Sequence, residues 1–202
     1  MKTLLDGYRE FRETAWPAER SRFESLAREG QSPATMVIAC SDSRVAPERV
    51  FGAAPGELFV VRNVAGLVPP YQPDARYHGT SAALEYAVRV LKVARIVVLG
   101  HAQCGGVRVM LEGAPDEAKD FVEPWMKLAA PALMALPGNV SGDEAATRCE
   151  EEVVKLSLTN LLTFPWIREA VEAGRLELQG FRFGIRSGVL TRLEGDRFAP
   201  VE

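Results

Sequence analysis

Thr35-Met36-Val37-Ile38-Ala39-Cys40-Ser41-Asp42-Ser43-Arg44 joins an apolar run of strand length to a turn that carries a thiol, a carboxylate and a guanidinium at alternate positions. Two further runs, Leu58-Phe59-Val60-Val61 and Ile96-Val97-Val98-Leu99, have the same character. Runs apolar on both faces are typical of parallel strands. Between the second and third, the pattern from Thr80 to Leu91 predicts a helix, with Leu84, Val88 and Leu91 at helical spacing. Strand, helix, strand in that order implies a right-handed crossover and an α/β sheet.

Working outward, residues 3–29 read as helix: Leu4, Leu5, Tyr8 and Phe11 share a face, Pro17 is placed to open a second segment, and Gly30 to end it. This arm has few apolar residues for its length, so it is expected to pack on a partner subunit. From about 115 to 173 the chain is helical again, interrupted near Pro137-Gly138 and at Pro165, with an apolar stripe of Val153, Val154, Leu158, Leu161 and Leu162. The acids Asp143, Glu144, Glu150, Glu151 and Glu152 read as a solvated helix face, favourable near the helix start. Residues 176–183 alternate like a half-exposed strand, and Gly188-Val189-Leu190 is expected to pair back on it as a hairpin. The expected fold is α/β: a mostly parallel central sheet of about four strands plus an antiparallel C-terminal edge strand, flanked by helices. Residues 1–202 are expected to form one domain, with residues 1–30 as its helical arm.

A chain of 202 residues, 47% of them hydrophobic, suits one substantial core. A net charge of −3 with acids and bases interleaved offers no basic block for phosphates, so nucleic acid is not an expected partner. Met1-Lys2-Thr3-Leu4-Leu5-Asp6 meets an acid before a leader's apolar core could develop, and no apolar run approaches the roughly 18 residues of a membrane span. A cytoplasmic protein with no membrane partner is the expectation. Three cysteines make no disulfide framework in a chain of this size, and in a reducing compartment a Cys pattern points to metal binding or catalysis.

Gly100-His101-Ala102-Gln103-Cys104-Gly105-Gly106 follows the third apolar run, as Cys40 ends the first. In an open α/β sheet, ligands gather where loops leave the carboxyl ends of the strands. That position would unite ligands some sixty residues apart, with Gly105 and Gly106 letting the backbone curl beside them. Two thiolates and an imidazole favour zinc, with a fourth position left open as in catalytic sites. Two thiolate charges weaken the ion as a Lewis acid, so its water should ionise above the value of roughly 7 known for an all-histidine site. Asp42 is either the fourth ligand or the acceptor of a hydrogen bond from the activated water. Arg44 is placed to hold that carboxylate bidentately and off the metal.

Cys-Ser-Asp-Ser-Arg-Val (40–45), Phe-Val-Val-Arg-Asn-Val-Ala (59–65), Glu-Tyr-Ala-Val (85–88), Gly-His-x-x-Cys-Gly-Gly (100–106) and Ser-Leu-x-Asn-Leu (157–161) together resemble the β-class carbonic anhydrases. The resemblance implies one zinc per subunit on Cys40, His101 and Cys104, an Asp42–Arg44 dyad beside it, and conversion of carbon dioxide to bicarbonate by attack of zinc-bound hydroxide. It also implies a homodimer or tetramer with active sites at the subunit interface. By similarity to plant-type members, Gln31 would hydrogen-bond a substrate oxygen, Phe59, Val64 and Tyr86 would line an apolar pocket, and Gly105 would border it, some of them from a neighbouring subunit. Two departures stand out. Relatives inhibited by bicarbonate at a second site carry Trp where this chain has Val37, so that site is expected to be absent despite Arg62. Gly66 stands where the family usually has Asn.

Two other functions fit the same ligands: hydrolysis of a related linear molecule such as carbon disulfide, and a non-catalytic zinc or thiol sensor whose Cys40 and Cys104 release the metal on oxidation. Phe59 and Tyr86 are ordinary core residues in a generic α/β domain, so their pocket roles rest on the resemblance. Cys149 reads as a structural thiol and His78 as a surface or interface residue; neither falls in a motif.

Overall fold

The expected arm is two helices, α1 (Leu4–Glu13) and α2 (Ala15–Glu29), in a computed structural model that describes residues 3–202; residues 1 and 2 of the arm lie outside the described residues. The Thr3 hydroxyl accepts from the Asp6 amide while the Asp6 carboxylate accepts from the Thr3 amide, closing a capping box. The break falls at Thr14 and not at Pro17, which sits in the first turn of α2, where a missing N–H leaves no bond unmade. Phe11, Trp16 and Phe23 cluster between the two helices with centroids 5.2–6.5 Å apart. Neither helix buries a residue.

The body runs β1 (Thr35–Cys40), α3 (Pro47–Val50), β2 (Leu58–Asn63), α4 (Gly79–Glu85) and β3 (Arg95–His101), with a π-helical turn over Tyr86–Val90 extending α4. There follow α5 (Gly105–Glu112), α6 (Val122–Lys127), α7 (Ala130–Met134), α8 (Gly142–Leu161) and α9 (Pro165–Glu172), then β4 (Glu177–Phe183), β5 (Leu190–Glu194) and β6 (Arg197–Pro200). Among the described residues the sheet has six strands in the order β2-β1-β3-β4-β5-β6. The first four pair in parallel and the last two antiparallel, so the sheet is one strand longer than the sequence predicts. The extra strand β6 holds one large apolar residue, Phe198, and ends in Pro200, which only an edge strand tolerates.

Alternate residues of β1 serve two cores. Met36 and Ile38 pack with Leu84, Val154, Leu161 and Phe164 on the face covered by α4, α8 and α9, while Val37 and Ala39 pack with Leu99 and Phe181 on the other. Both sets are buried, which is why the strand reads as one apolar run. Helix α8 lies against β3 and β4 with unusual closeness: a Cβ on Gly100 or Gly180 would come within 2.6 or 2.8 Å of Val154. The register sets Ala39 beside Leu99 and Cys40 beside Asn63, so the carboxyl ends of β1, β2 and β3 meet at one edge of the molecule. Among the described residues no helix is long and apolar enough to cross a membrane.

Candidate metal centre

Cys40 closes β1, His101 closes β3 and Cys104 precedes α5, and their side chains converge. One sulfur of each cysteine and one ring nitrogen of His101 lie within 4.8 Å of one another, and all three residues are buried. The two sulfurs are 4.0 Å apart, close to the ~3.8 Å that tetrahedral geometry with metal–sulfur bonds of roughly 2.3 Å requires. His101 Nδ1 donates to the Ala102 carbonyl at 2.8 Å. Because a carbonyl only accepts, the neutral ring then carries its lone pair on Nε2. Among the described residues that Nε2 is the one buried side-chain polar atom without a hydrogen-bond partner. A buried lone pair aimed at two sulfurs is what a zinc site needs and what a protein core otherwise avoids.

Without a metal the three groups share their protons. Cys104 donates its S–H toward Cys40, lowering the pKa of Cys40 and raising its own; burial works against ionisation of Cys40, and His101 favours it. Burial disfavours charge on His101 as well, but Cys40, the Ala102 carbonyl and Asp42 outweigh it and raise its pKa. Thiolates and a neutral imidazole are the forms a metal selects, so binding releases protons here. Cys149 differs: burial first, then Glu150 and Glu152, push its thiol up to about 11, which leaves it an inert core residue.

Asp42 lies outside this three-residue group, with Oδ2 3.9 Å from His101 Nε2. Its Oδ1 accepts from the backbone amide and Nε of Arg44, each at 2.9 Å, and its Oδ2 accepts from Nη2 at 2.7 Å. The Arg44 side-chain bonds hold the Asp42 carboxyl well below the usual carboxylate range, against a smaller opposing effect of burial. The same Nη2 reaches the Gln103 carbonyl at 3.0 Å, tying the Asp42 turn to the His101–Cys104 loop. Of the two roles open to Asp42, acceptor beside the metal is the one this clamp favours.

Glycine is not what curls that loop. Gln103 takes the left-handed conformation at φ 58°, whereas Gly105 and Gly106 do not. A Cβ on Gly106 would come within 2.9–3.1 Å of Ala65, Met126 and Val64, so that glycine serves close packing, while Gly105 faces open space. Ala65 and Gly66 are also left-handed, at φ 66° and 62°. Asn63 brackets their turn by donating to the Leu67 carbonyl and accepting from the Leu67 amide, both at 2.9 Å, and Trp125 donates to the Val64 carbonyl. Strained residues of this kind gather at functional sites.

Val64 packs against the buried cluster that contains Cys40 and Cys104. Gln31, Phe59 and Tyr86 are elsewhere. Phe59 pairs with Met36 near the start of β1, four residues before the register position of Cys40, which is ~13 Å along a strand. Tyr86 stacks on Phe59 with centroids 6.0 Å apart, and Gln31 precedes β1 on the surface. The chain thus brings its own Val64 and Gly105 to its metal group, but not these three.

Further residues shape the site, Arg62, Ser157 and Asn160 from within the quoted motifs and Glu150 outside them. Arg62 donates to the carbonyls of Cys40, Asp42 and Val45 at 2.6–2.9 Å and so shapes the Asp42 turn. Ser157 and Asn160 bond the amide and carbonyl of Val68, fixing the loop beyond Gly66 to α8. The acids of α8 do not form one solvated face. Asp143 and Glu144 are exposed, but Glu150 is 3% exposed and paired with Arg182, because it lies one and two helical turns from the buried Val154 and Ser157. That spacing was legible beforehand. His78 is partly exposed, with Nε2 2.6 Å from Asp74 Oδ1.

A family model described as carbonic anhydrase matches residues 35–190. "Beta carbonic anhydrase 3" of Arabidopsis thaliana is 33% identical over 97% of this chain and 78% of its own length. Among solved structures, the β-carbonic anhydrase CcaA is similar at 30% identity and a TM-score of 0.90, covering 98% of this chain and 91% of that one. A tetrameric β-carbonic anhydrase of Sordaria macrospora is similar at 29% identity and a TM-score of 0.76, covering 97% and 98%.

Proposed function

The chain belongs to the β-class carbonic anhydrases, and from that premise we propose how its residues divide the work of interconverting carbon dioxide and bicarbonate. The enzyme is a zinc carbonic anhydrase, and the alternatives of a carbon disulfide hydrolase or a zinc sensor are not favoured. Cys40, His101 and Cys104 would hold the zinc. Once bound, the metal supplies Lewis acidity that brings a water within reach of ionisation at working pH.

The remaining work belongs to side chains of this protein. Asp42, ionised throughout the working range, accepts the hydrogen of the nucleophilic water and aims its free lone pair at the substrate carbon. Arg44 fixes that carboxylate and keeps it from ligating the metal. Gly105, with no side chain, leaves room beside Cys104 for carbon dioxide, and Val64 gives the site an apolar wall. The chain has two histidines, one committed to the metal group and one paired with Asp74, so the product proton leaves through water and external buffer. The observation that carries this reading is the Cys40–His101–Cys104 group with Asp42 clamped 3.9 Å away.

Gln31, Phe59 and Tyr86 complete the pocket of a second copy. Their distance from their own metal group supports this, as does the tetrameric state of the Sordaria relative. The exposed Leu4, Leu5 and Tyr8 of α1 are offered to the same partner. Arg62, committed to three carbonyls, is poorly placed to take bicarbonate, consistent with an unregulated enzyme. We place the protein in the cytoplasm, a reading supported by its three free cysteines, since disulfides are rare in a reducing compartment.

Stopped-flow hydration of carbon dioxide by zinc-replete protein tests the reading. Because the folded pKa of Asp42 is depressed, its charge and the stability linked to it are present above the ordinary carboxylate value and are lost only in strong acid. The acid limb of the rate must therefore come from the water. The rate should climb through and above neutrality, and Asp42→Asn should lower it by about 10²-fold. A plateau already reached by pH 6, or no activity with zinc bound stoichiometrically, would contradict it.

A further inference from the structure

Glu150 is the only buried carboxylate among the described residues, and it sits behind the metal group. Removing an ion pair from water costs more than its attraction returns unless every partner is satisfied, and apolar replacements of similar size often stabilise. Core stability alone therefore gives little reason for a Glu150–Arg182 pair between α8 and β4. Its geometry gives another. Oε2 of Glu150 accepts from both Nε and Nη2 of Arg182, at 2.9 and 2.7 Å. That leaves Oε1 facing the backbone amide of Cys104 at 3.4 Å.

We propose that Glu150 and Arg182 are positioning residues for the metal ligand Cys104, an inference that rests on the zinc reading above. Three elements converge on one point: α8 brings the carboxylate, β4 the guanidinium, and the loop after β3 the amide. The convergence depends on Gly100 and Gly180, since a Cβ at either would meet Val154 at under 3 Å and hold α8 away. With its own N–H anchored to Glu150, Cys104 has its backbone, and so the direction of its sulfur, set before metal arrives. Arg182 is required because a lone carboxylate at this place would set a third negative charge beside two thiolates. As an ion pair, the anchor adds no net charge to the centre.

The test compares Glu150→Gln/Arg182→Met with Glu150→Leu/Arg182→Met. Both remove the ion pair, but only glutamine keeps an oxygen able to accept from the Cys104 amide. Zinc affinity is read by chelator competition, and ligand geometry by the thiolate-to-cobalt charge-transfer band of the cobalt(II) form. The glutamine variant should hold zinc within about threefold of wild type, and the leucine variant about 10–100-fold more weakly with a shifted band. A leucine variant that binds as tightly as the glutamine one, with a superimposable cobalt spectrum, overturns the proposal. Should the leucine variant fail to fold, Glu150→Asp keeps the charge but withdraws the carboxylate from the amide. It should cost about tenfold in affinity, and unchanged affinity overturns the proposal equally. Wild-type protein that takes up no zinc would instead overturn the metal-centre reading itself.

Discussion

The two ends of the parallel strands are finished to different degrees. At the carboxyl ends, Cys40, His101 and Cys104 converge, Arg44 grips both Asp42 and Gln103, and Arg62 holds three carbonyls of the turn between them. At the amino ends, Phe59 packs on the core and stacks with Tyr86, Tyr86 is 46% exposed, Gln31 lies on the surface, and α1 presents Leu4, Leu5 and Tyr8 to solvent. One chain therefore converges its own metal ligands and their clamp but not Gln31, Phe59 and Tyr86, which the proposed assembly would bring to a partner's pocket. Metal ligation tolerates sub-ångström error only, which packing within a single core can guarantee. An apolar wall for a small linear gas tolerates more, and a symmetric interface can supply it twice at once.

The largest effect that could break this contrast is on the metal. Cys40→Ser should abolish stoichiometric zinc and lower hydration by roughly three orders of magnitude, the several kcal/mol a Lewis acid contributes. Phe59→Ala at the other end should retain full zinc and lose activity about tenfold. Zinc analysis beside stopped-flow rates separates the two, and a zinc-depleted Phe59→Ala enzyme would mean that the ends are not independent.

A mixing experiment gives a smaller and sharper signal. If the pocket residues act across the interface, oligomers assembled from equal amounts of Cys40→Ser and Phe59→Ala chains contain intact sites. In those sites the Phe59→Ala chain brings the zinc and its partner brings Phe59. Random pairing restores about a quarter of wild-type sites. Activity equal to the average of the two parent variants would place Phe59 in its own chain's site and remove the basis of the contrast.

The same division decided what the sequence could reveal. Cys40, His101 and Cys104 were legible because each sits where an apolar run stops, and the α/β rule carries such ends to one edge. Asp42 and Arg44 were legible because they belong to the same short turn. Glu150 was missed since three consecutive acids look alike in composition; only the helical spacing to Val154 and Ser157 separates it from Glu151 and Glu152. Arg182 lies in an alternating strand whose buried and exposed faces depend on α8, which no local pattern fixes. The left-handed residue of the metal loop was sought in Gly105 and Gly106, the permissive residues, but the fold imposes it on Gln103. There the clamp from Arg44 to the Gln103 carbonyl outweighs local preference. Strand β6 was missed for a like reason, because it exists by pairing with β5 and has little strand character of its own.

The smallest expected effect concerns the strain held at the finished end. Gly66 is left-handed at φ 62°, and a Cβ there would lie 3.1 Å from the backbone of Ala39 and Cys40. Asparagine tolerates this conformation, while a β-branched residue does not. Gly66→Asn should then lower the melting temperature by about 2 °C, and Gly66→Val by roughly 5–10 °C, corresponding to about 2–3 kcal/mol in a chain of this size. Leu5→Gln on the exposed face of α1 serves as the reference at the unfinished end, where the folded chain should lose almost nothing. Equal losses for asparagine and valine would locate the constraint in crowding against β1, since the Cβ contact is common to both. A graded loss locates it in the backbone, and the turn after β2 then holds its shape by conformation at the position where it touches the strand that ends in Cys40.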